Sequence, residues 1–176
     1  MADIVLEIPT MRHEAMANQF KNEFIENNEP IINGSALFDQ MDYKEWLDNT
    51  EKNHNPETVG SDWVLATTFF AVRKSDNKII GMIDIRHSLA NKFLKEYGGH
   101  IGYSVRPSER KKGYATEMLK MGLEYAKSIG LKRVMLSCFT SNTASIKTII
   151  KCGGVLTESK SYVDGRPMYV FWIELN

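Results

Sequence analysis

Cysteine is scarce in this 176-residue chain: there are two, Cys138 and Cys152, and no C-x-x-C pair. That excludes a small disulfide-stapled scaffold and a zinc ribbon, so both thiols are expected reduced and structural. The four histidines, His13, His54, His87 and His100, form no H-E-x-x-H or other clustered ligand spacing, and no metal is expected. G-x-S-x-G, G-x-G-x-x-G and the Walker pattern are missing too, which removes the nucleophile elbow, the dinucleotide fingerprint and the kinase-type phosphate loop. No apolar run approaches a membrane span, and Asp3 and Glu7 interrupt the first ten residues where a leader would be basic and then apolar. A cytoplasmic protein without a membrane partner is expected. Charge of one sign is lacking as well: Lys plus Arg and Asp plus Glu both number 22, so no global field favours nucleic acid as a partner.

What is present is ordinary globular composition, 43% hydrophobic and 25% charged, and residues 1–176 read as a single domain. Asp3 to Ile8 alternates as a first strand. Met11 to Glu26 carries Ala15, Met16, Phe20 and Phe24 at helical spacing, with Asn27 to Pro30 as its stop. After Asn33-Gly34, a second helix built on Leu37, Met41, Tyr43, Trp46 and Leu47 is expected to end in the polar segment Asp48 to Pro56. Trp63 to Val72 and Lys78 to Arg86 read as a hairpin about Lys74 to Asn77, and Asn91 to Tyr97 as a short helical turn. Arg133 to Phe139 is a buried strand, Thr143 to Lys151 a helix, and Val155 to Tyr162 with Met168 to Leu175 a closing hairpin. The fold class is therefore α/β, with about six or seven mostly antiparallel strands flanked by helices.

The stretch from Gly99 to Leu119 carries the chemistry. His100 to Val105 reads as a strand stopped by Pro107. Ala115, Met118, Leu119, Gly122, Ala126 and Ile129 form one stripe of a helix that begins near Gly113 or Tyr114 and is capped by Gly130. Between them lies Arg110-Lys111-Lys112-Gly113-Tyr114-Ala115: three cations and a glycine where a helix presents unsatisfied N–H groups, which suits an anion. A solvated basic loop is the alternative. The helix also makes a crossover between two strands, and hence a central parallel pair.

Arg110, Gly113 and Ala115 fill the pattern Arg/Gln-x-x-Gly-x-Gly/Ala, and the run resembles the acyl-CoA signature of GNAT-superfamily N-acetyltransferases. A second match lies downstream: Asn142, Ser145 and Gly153 resemble that family's next motif. The likeness covers 99–153 as an acyl-CoA-binding core, and 1–60 only by order of elements, as a divergent acceptor-side part.

The resemblance implies an acetyl-CoA-dependent N-acetyltransferase acting by direct attack in a ternary complex, on a small-molecule or peptide amine, with a homodimer allowed. It implies that Tyr103, Ser104 and Val105 offer main-chain groups to the cofactor, the Val105 amide polarising the thioester carbonyl. Arg110, Lys111, Lys112, Gly113, Tyr114, Ala115 and Thr116 would receive its phosphates, and Asn142 with Ser145 its pantetheine arm. His100 is the candidate general base, with an ordinary imidazole pKa of about 6.5; a hydrogen-bonded strand histidine is the alternative. Asp84 and His87 are second candidates for base or for holding a cationic acceptor, and Trp46, with Phe38 and Tyr43, for acceptor contact or plain burial. The tyrosine that many relatives place seven residues after the motif asparagine is Ile149 here, leaving Tyr162 or Tyr169 as substitutes, or an unassisted thiolate. A non-catalytic CoA-binding regulatory module is the competing reading.

Overall fold

The computed structural model describes residues 3–176. In chain order the elements are β1 (Ile4–Glu7), α1 (Glu14–Glu26), α2 (Tyr43–His54), β2 (Ala66–Arg73), β3 (Lys78–Arg86), β4 (Ile101–Val105), α3 (Tyr114–Ser128), β5 (Arg133–Phe139), α4 (Thr143–Lys151), β6 (Val155–Ser161) and β7 (Pro167–Glu174). Short helical turns add Met11–His13, Phe38–Gln40, Leu94–Gly98 and Pro107–Glu109. Among the described residues no helix is long and apolar enough to cross a membrane.

The end of the second helix lies beyond its expected place. The polar run Asp48 to His54 continues α2, because Leu47 and Thr50 keep the inner face buried while the exposed Lys52 and Asp48 pair one turn apart at 2.6 Å. Asp42 starts that helix by accepting the Glu45 N–H on its carboxylate at 3.0 Å.

The strands form two sheets, β1-β2-β3-β4 and β5-β7-β6, antiparallel at every ladder. One face of the first sheet packs Ile83, Ile85, Ile101 and Val105 under α3. Its other face packs Phe70, Val72 and Met82 under α1 and α2, around the fully buried Phe20, Phe38 and Trp46. Gly122 brings α3 close to the sheet: a Cβ there would stand 2.6 Å from the Ile83 side chain.

The crossover through α3 makes β4 and β5 neighbours, as expected, yet the expected parallel pairing shrinks to one residue pair. The His100 N–H donates to the Met135 carbonyl at 2.8 Å, and the Met135 N–H donates to His100 Nδ1 at 2.9 Å. The imidazole occupies the position where a continuous ladder would supply a carbonyl, and beyond it the strands separate into a gap between Ile101–Tyr103 and Leu136–Phe139. The ring is buried, edge-on to Trp172 at 6.0 Å between centroids. Burial, reinforced by Arg86 and Arg133, presses its pKa down to about 4.

A histidine held neutral in the fold binds a proton more readily in the unfolded chain. Its stabilising contribution is complete above about pH 6.5 and is lost as pH falls toward 4, by about 3 kcal/mol at the limit. Urea titrations from pH 7.5 to 4 should therefore show the stability gap between wild type and His100→Gln narrowing as pH falls; a constant gap would refute the assignment.

Candidate functional site

From β4 the chain turns through Pro107–Glu109, takes left-handed backbone at Lys111 (φ 63°) and Gly113 (φ 86°), and enters α3 with no side chain capping it. The first N–H groups of α3 are thereby left without helical acceptors. They open on a cleft of about 490 Å3 lined by Tyr103, Ser104 and Val105 on one side, by Arg110, Lys111 and Gly113–Thr116 at the helix end, and by Asn142, Ser145 and Thr148 across from them. A Cβ on Gly113 would meet nothing within 4 Å, so it is φ and not space that calls for glycine there. Asn142 caps α4, its side-chain oxygen accepting the Ser145 N–H at 3.1 Å.

The β4 edge facing this cleft follows from the ladder. Arg106 N–H to Ile80 and Arg86 N–H to the His100 carbonyl, both 2.7 Å, make the even-numbered residues of β4 the ones bonded to β3. Tyr103 and Val105 therefore turn their N–H and C=O groups away from β3, where the Val105 carbonyl accepts from Arg110 Nε at 3.1 Å. The Ser104 hydroxyl, buried beside them, has no hydrogen-bond partner. Unpaired strand edge, uncapped helix end and orphaned hydroxyl together suit an extended ligand with amides at one end and phosphates at the other.

Two further cavities adjoin. The gap between β4 and β5, about 260 Å3, is lined by Tyr103, Cys138, Ser145, Ile149 and Tyr162. On the opposite flank a cavity of about 580 Å3 is lined by Asp84, Arg86, Ser35 and Asp39, with Ile31, Trp63 and Phe93 near its mouth. Asn33 lines all three cavities. The segment carrying it is pressed onto β4 at Gly34, where a Cβ would lie 2.2 Å from the Gly102 carbonyl oxygen and φ is +68°.

The model of the acetyltransferase (GNAT) domain matches residues 8–155. The chain belongs to the GNAT family. The curated "Uncharacterized N-acetyltransferase YoaA" of Bacillus subtilis is 33% identical over 100 residues, 54% of this chain; the match spans about half of that relative, 54% of its length. Among solved structures, the microcin C7 self-immunity acetyltransferase MccE, in complex with acetyl-CoA and AMP, superposes with a TM-score of 0.72 at 19% identity, over 98% of this chain and 92% of that one. Ribosomal-protein-S5-alanine acetyltransferase from Vibrio fischeri reaches 0.77 at 17% identity, over 100% and 95%. At such identities the two show a shared GNAT fold.

Of the residues expected to act in this GNAT chain, the fold gathers most but not all. Tyr103, Ser104, Val105, Arg110, Lys111, Gly113, Tyr114, Ala115, Thr116, Asn142 and Ser145 share one cleft, and Asp84 lines the adjoining cavity. His100 lines none of the three: its Nδ1 accepts the Met135 N–H and its ring is buried between the sheets. His87 instead meets the Thr67 hydroxyl at 2.9 Å on the α3 side of the sheet. Trp46 is fully buried, its indole N–H donating to the Ser35 carbonyl at 2.7 Å, and Phe38 and Tyr43 pack against it as core. Tyr162 reaches the gap, whereas Tyr169 stacks edge-on against Phe171 outside it.

The basic loop is also re-read. Lys112 turns away to Glu109 at 2.9 Å, and Arg110 is held in a fork by Glu29 at 2.7 and 2.6 Å while its Nε donates to the Val105 carbonyl at 3.1 Å. Lys111 lines the cleft and, among the described residues, makes no salt bridge. Glu109, only 4% exposed, also receives Arg73 at 2.9 Å and Lys78 at 2.8 Å. Burial pushes its carboxyl up, but hydrogen bonds from Lys78, Lys112 and Arg73 outweigh that and hold it down at about 2. Neither Glu29 nor Glu109 stands in the motif pattern; the surplus of neighbouring cations was the one available sign of a buried counter-charge.

Glu109→Gln leaves three cations around a neutral amide and should cost about 3 kcal/mol in urea unfolding at pH 7. The cost should shrink as pH falls below 4.5 toward 2, where the wild-type carboxylate is itself neutralised. A variant within 0.5 kcal/mol of wild type, roughly the range of surface substitutions, would contradict the pinning role.

Proposed function

We propose that the protein is an acetyl-CoA-dependent N-acetyltransferase that moves an acetyl group to a primary amine by direct attack within a ternary complex. The observation that carries this reading is the meeting of the two motif segments, Arg110–Thr116 and Asn142–Ser145, in one cleft beside the unpaired edge of β4. The α3 amides and Lys111 suit a pyrophosphate. The Tyr103 and Val105 backbone suits an amide-bearing arm laid along the strand, with the Val105 N–H available to a developing oxyanion. A thioester supplies an acetyl group already activated for attack by an amine.

Direct attack is favoured over an acyl-enzyme because the thiol nearest the gap, Cys138, has its pKa pushed up by burial against a smaller opposing hydrogen bond from Ser145. For the leaving thiolate the reading assigns the proton to Tyr103. Its hydroxyl meets Ser145 Oγ at 2.9 Å on the wall shared by the cleft and the gap, and burial raises its pKa to about 12, so it stays protonated at neutral pH. It stands in for Ile149, which has no hydroxyl. A cytoplasmic location and a small-molecule or peptide acceptor belong to the same reading.

The second reading, a CoA-binding module without turnover, is favoured by Ile149 and by the burial of His100 away from the cleft. A thermal shift with acetyl-CoA, against ATP and NAD at equal concentration, tests the ligand class. Ligand at about 100 times its dissociation constant adds roughly 2.7 kcal/mol, a rise of several degrees. Release of CoA with an amine panel then separates the readings: turnover supports the transferase, and a shift without turnover supports the module. Tyr103→Phe should lower kcat by about tenfold to a hundredfold with the acetyl-CoA shift retained, whereas Cys138→Ala should stay within about threefold of wild type.

A further inference from the structure

We infer that the acceptor is a primary amine on an apolar body, with no carboxylate beside the amine; this rests on the acetyl-transfer reading and specifies its second substrate. The 580 Å3 cavity carries three carboxylates, Asp39, Asp62 and Asp84, and a single cation, Arg86. That cation is already committed. Its Nε meets Asp84 Oδ2 at 2.8 Å, and its Nη1 donates to the carbonyls of Gly98 and Gly99 at 3.2 and 3.4 Å. Asp84, buried on the cavity floor, also accepts from Thr68 Oγ1 at 2.8 Å.

Asp39 accepts only the Ile32 N–H, at 3.0 Å, and neither it nor Asp62 has a cationic partner among the described residues. An ammonium group entering here meets unpaired negative charge, whereas a carboxylate meets three like charges against one cation that is already paired with Asp84. A second, independent sign of a polar guest is Ser35: its residue lines the cavity at 1% exposure, and its hydroxyl is buried with no hydrogen-bond partner. Such a group is costly unless a ligand completes it.

The body of the guest is read from the mouth. Ile31, Trp63 and Phe93, 68, 52 and 47% exposed, are large apolar side chains, and all three border this one cavity. They present an apolar surface that covers an aromatic or branched alkyl group, and a polyamine's methylene chain fills it less well. Gly34, Arg86 and Phe93 line both this cavity and the gap between β4 and β5, so an amine on the acidic floor borders the space where the acetyl group would be presented.

Matched pairs test the inference: tyramine against tyrosine, phenethylamine against phenylalanine, and isopentylamine against leucine, with spermidine and an alanine-terminated peptide alongside. Two readouts are taken, kcat/KM by CoA release and the melting temperature of the free protein with each amine. The expected result is at least a tenfold kcat/KM advantage for each amine over its amino acid, over spermidine and over the peptide, with the amines alone raising the melting temperature. Asp62→Asn should raise KM for tyramine severalfold while leaving kcat and the acetyl-CoA shift unchanged. Equal or better use of the amino acids, of spermidine or of the peptide would overturn it, as would an unmoved tyramine KM in Asp62→Asn. Failure of the transfer reading looks different: the amines raise the melting temperature, yet no acceptor releases CoA. Silence in both readouts would overturn both.

Discussion

The structure depends on one pair of residues, His100 and Met135, where two strands that could have formed a continuous parallel ladder are joined and then released. Two hydrogen bonds close that point, one to the backbone of His100 and one to its ring. Past it, the N–H and C=O groups of Tyr103 and Val105 have no strand partner. In most folds an unpaired edge inside a molecule is a liability, because buried backbone groups are costly without partners. Here the unpaired edge borders a cleft, and the cleft exists because the ladder stops. A buried neutral imidazole serves as the stop, since it supplies an acceptor without adding another residue to the strand.

Charge is organised around a similar economy. A loop with three consecutive cations facing a ligand cleft would repel itself and remain mobile. Glu109 and Glu29 prevent this: the first takes Lys112 out of the cleft, the second holds Arg110 in place on the cleft wall, and both fix the backbone that bears them. Arg73 and Lys78 complete the cage, so that the β2–β3 hairpin and the loop share one buried carboxylate, and Arg73 reaches on to the Tyr114 hydroxyl at the start of α3. The loop then faces its cleft with backbone N–H groups, an Arg110 fixed by Glu29, and Lys111, which makes no salt bridge among the described residues, a rigid arrangement where a cluster of flexible cations would have been a soft one.

The three cavities meet because Gly34 lets the α1–α2 connection lie directly on Gly102 of β4. Backbone-to-backbone contact of this kind leaves no room for a Cβ, and it makes the strand a shared wall: main-chain edge toward the gap, Gly102 and Ser104 toward the connecting segment. Asn33 thus borders all three cavities, and Gly34 both the gap and the 580 Å3 cavity. Transfer chemistry that depends chiefly on positioning can be run from such a wall with few side chains.

Much of this was legible in the chain. The strand–basic loop–helix order, the glycine at the start of α3 and the boundaries of β3, β5 and α4 follow from local periodicity, capping and turn chemistry, which act over a few residues and are written in them. The two motif segments that line the cleft were legible for the same reason, because each is contiguous in the chain. What only the tertiary structure decided is which groups are already spent: His100 on Met135, Arg110 on Glu29, Lys112 on Glu109, Arg86 on Asp84. Each of those bonds except the Lys112 pair joins residues from separate elements or opposite sides of the fold, or depends on the burial that the fold creates. A residue's chemical type is local, but its availability is set by its neighbours in space, and that is why the motif segments could be read from the sequence while the partners that occupy His100, Arg110 and Arg86 could not.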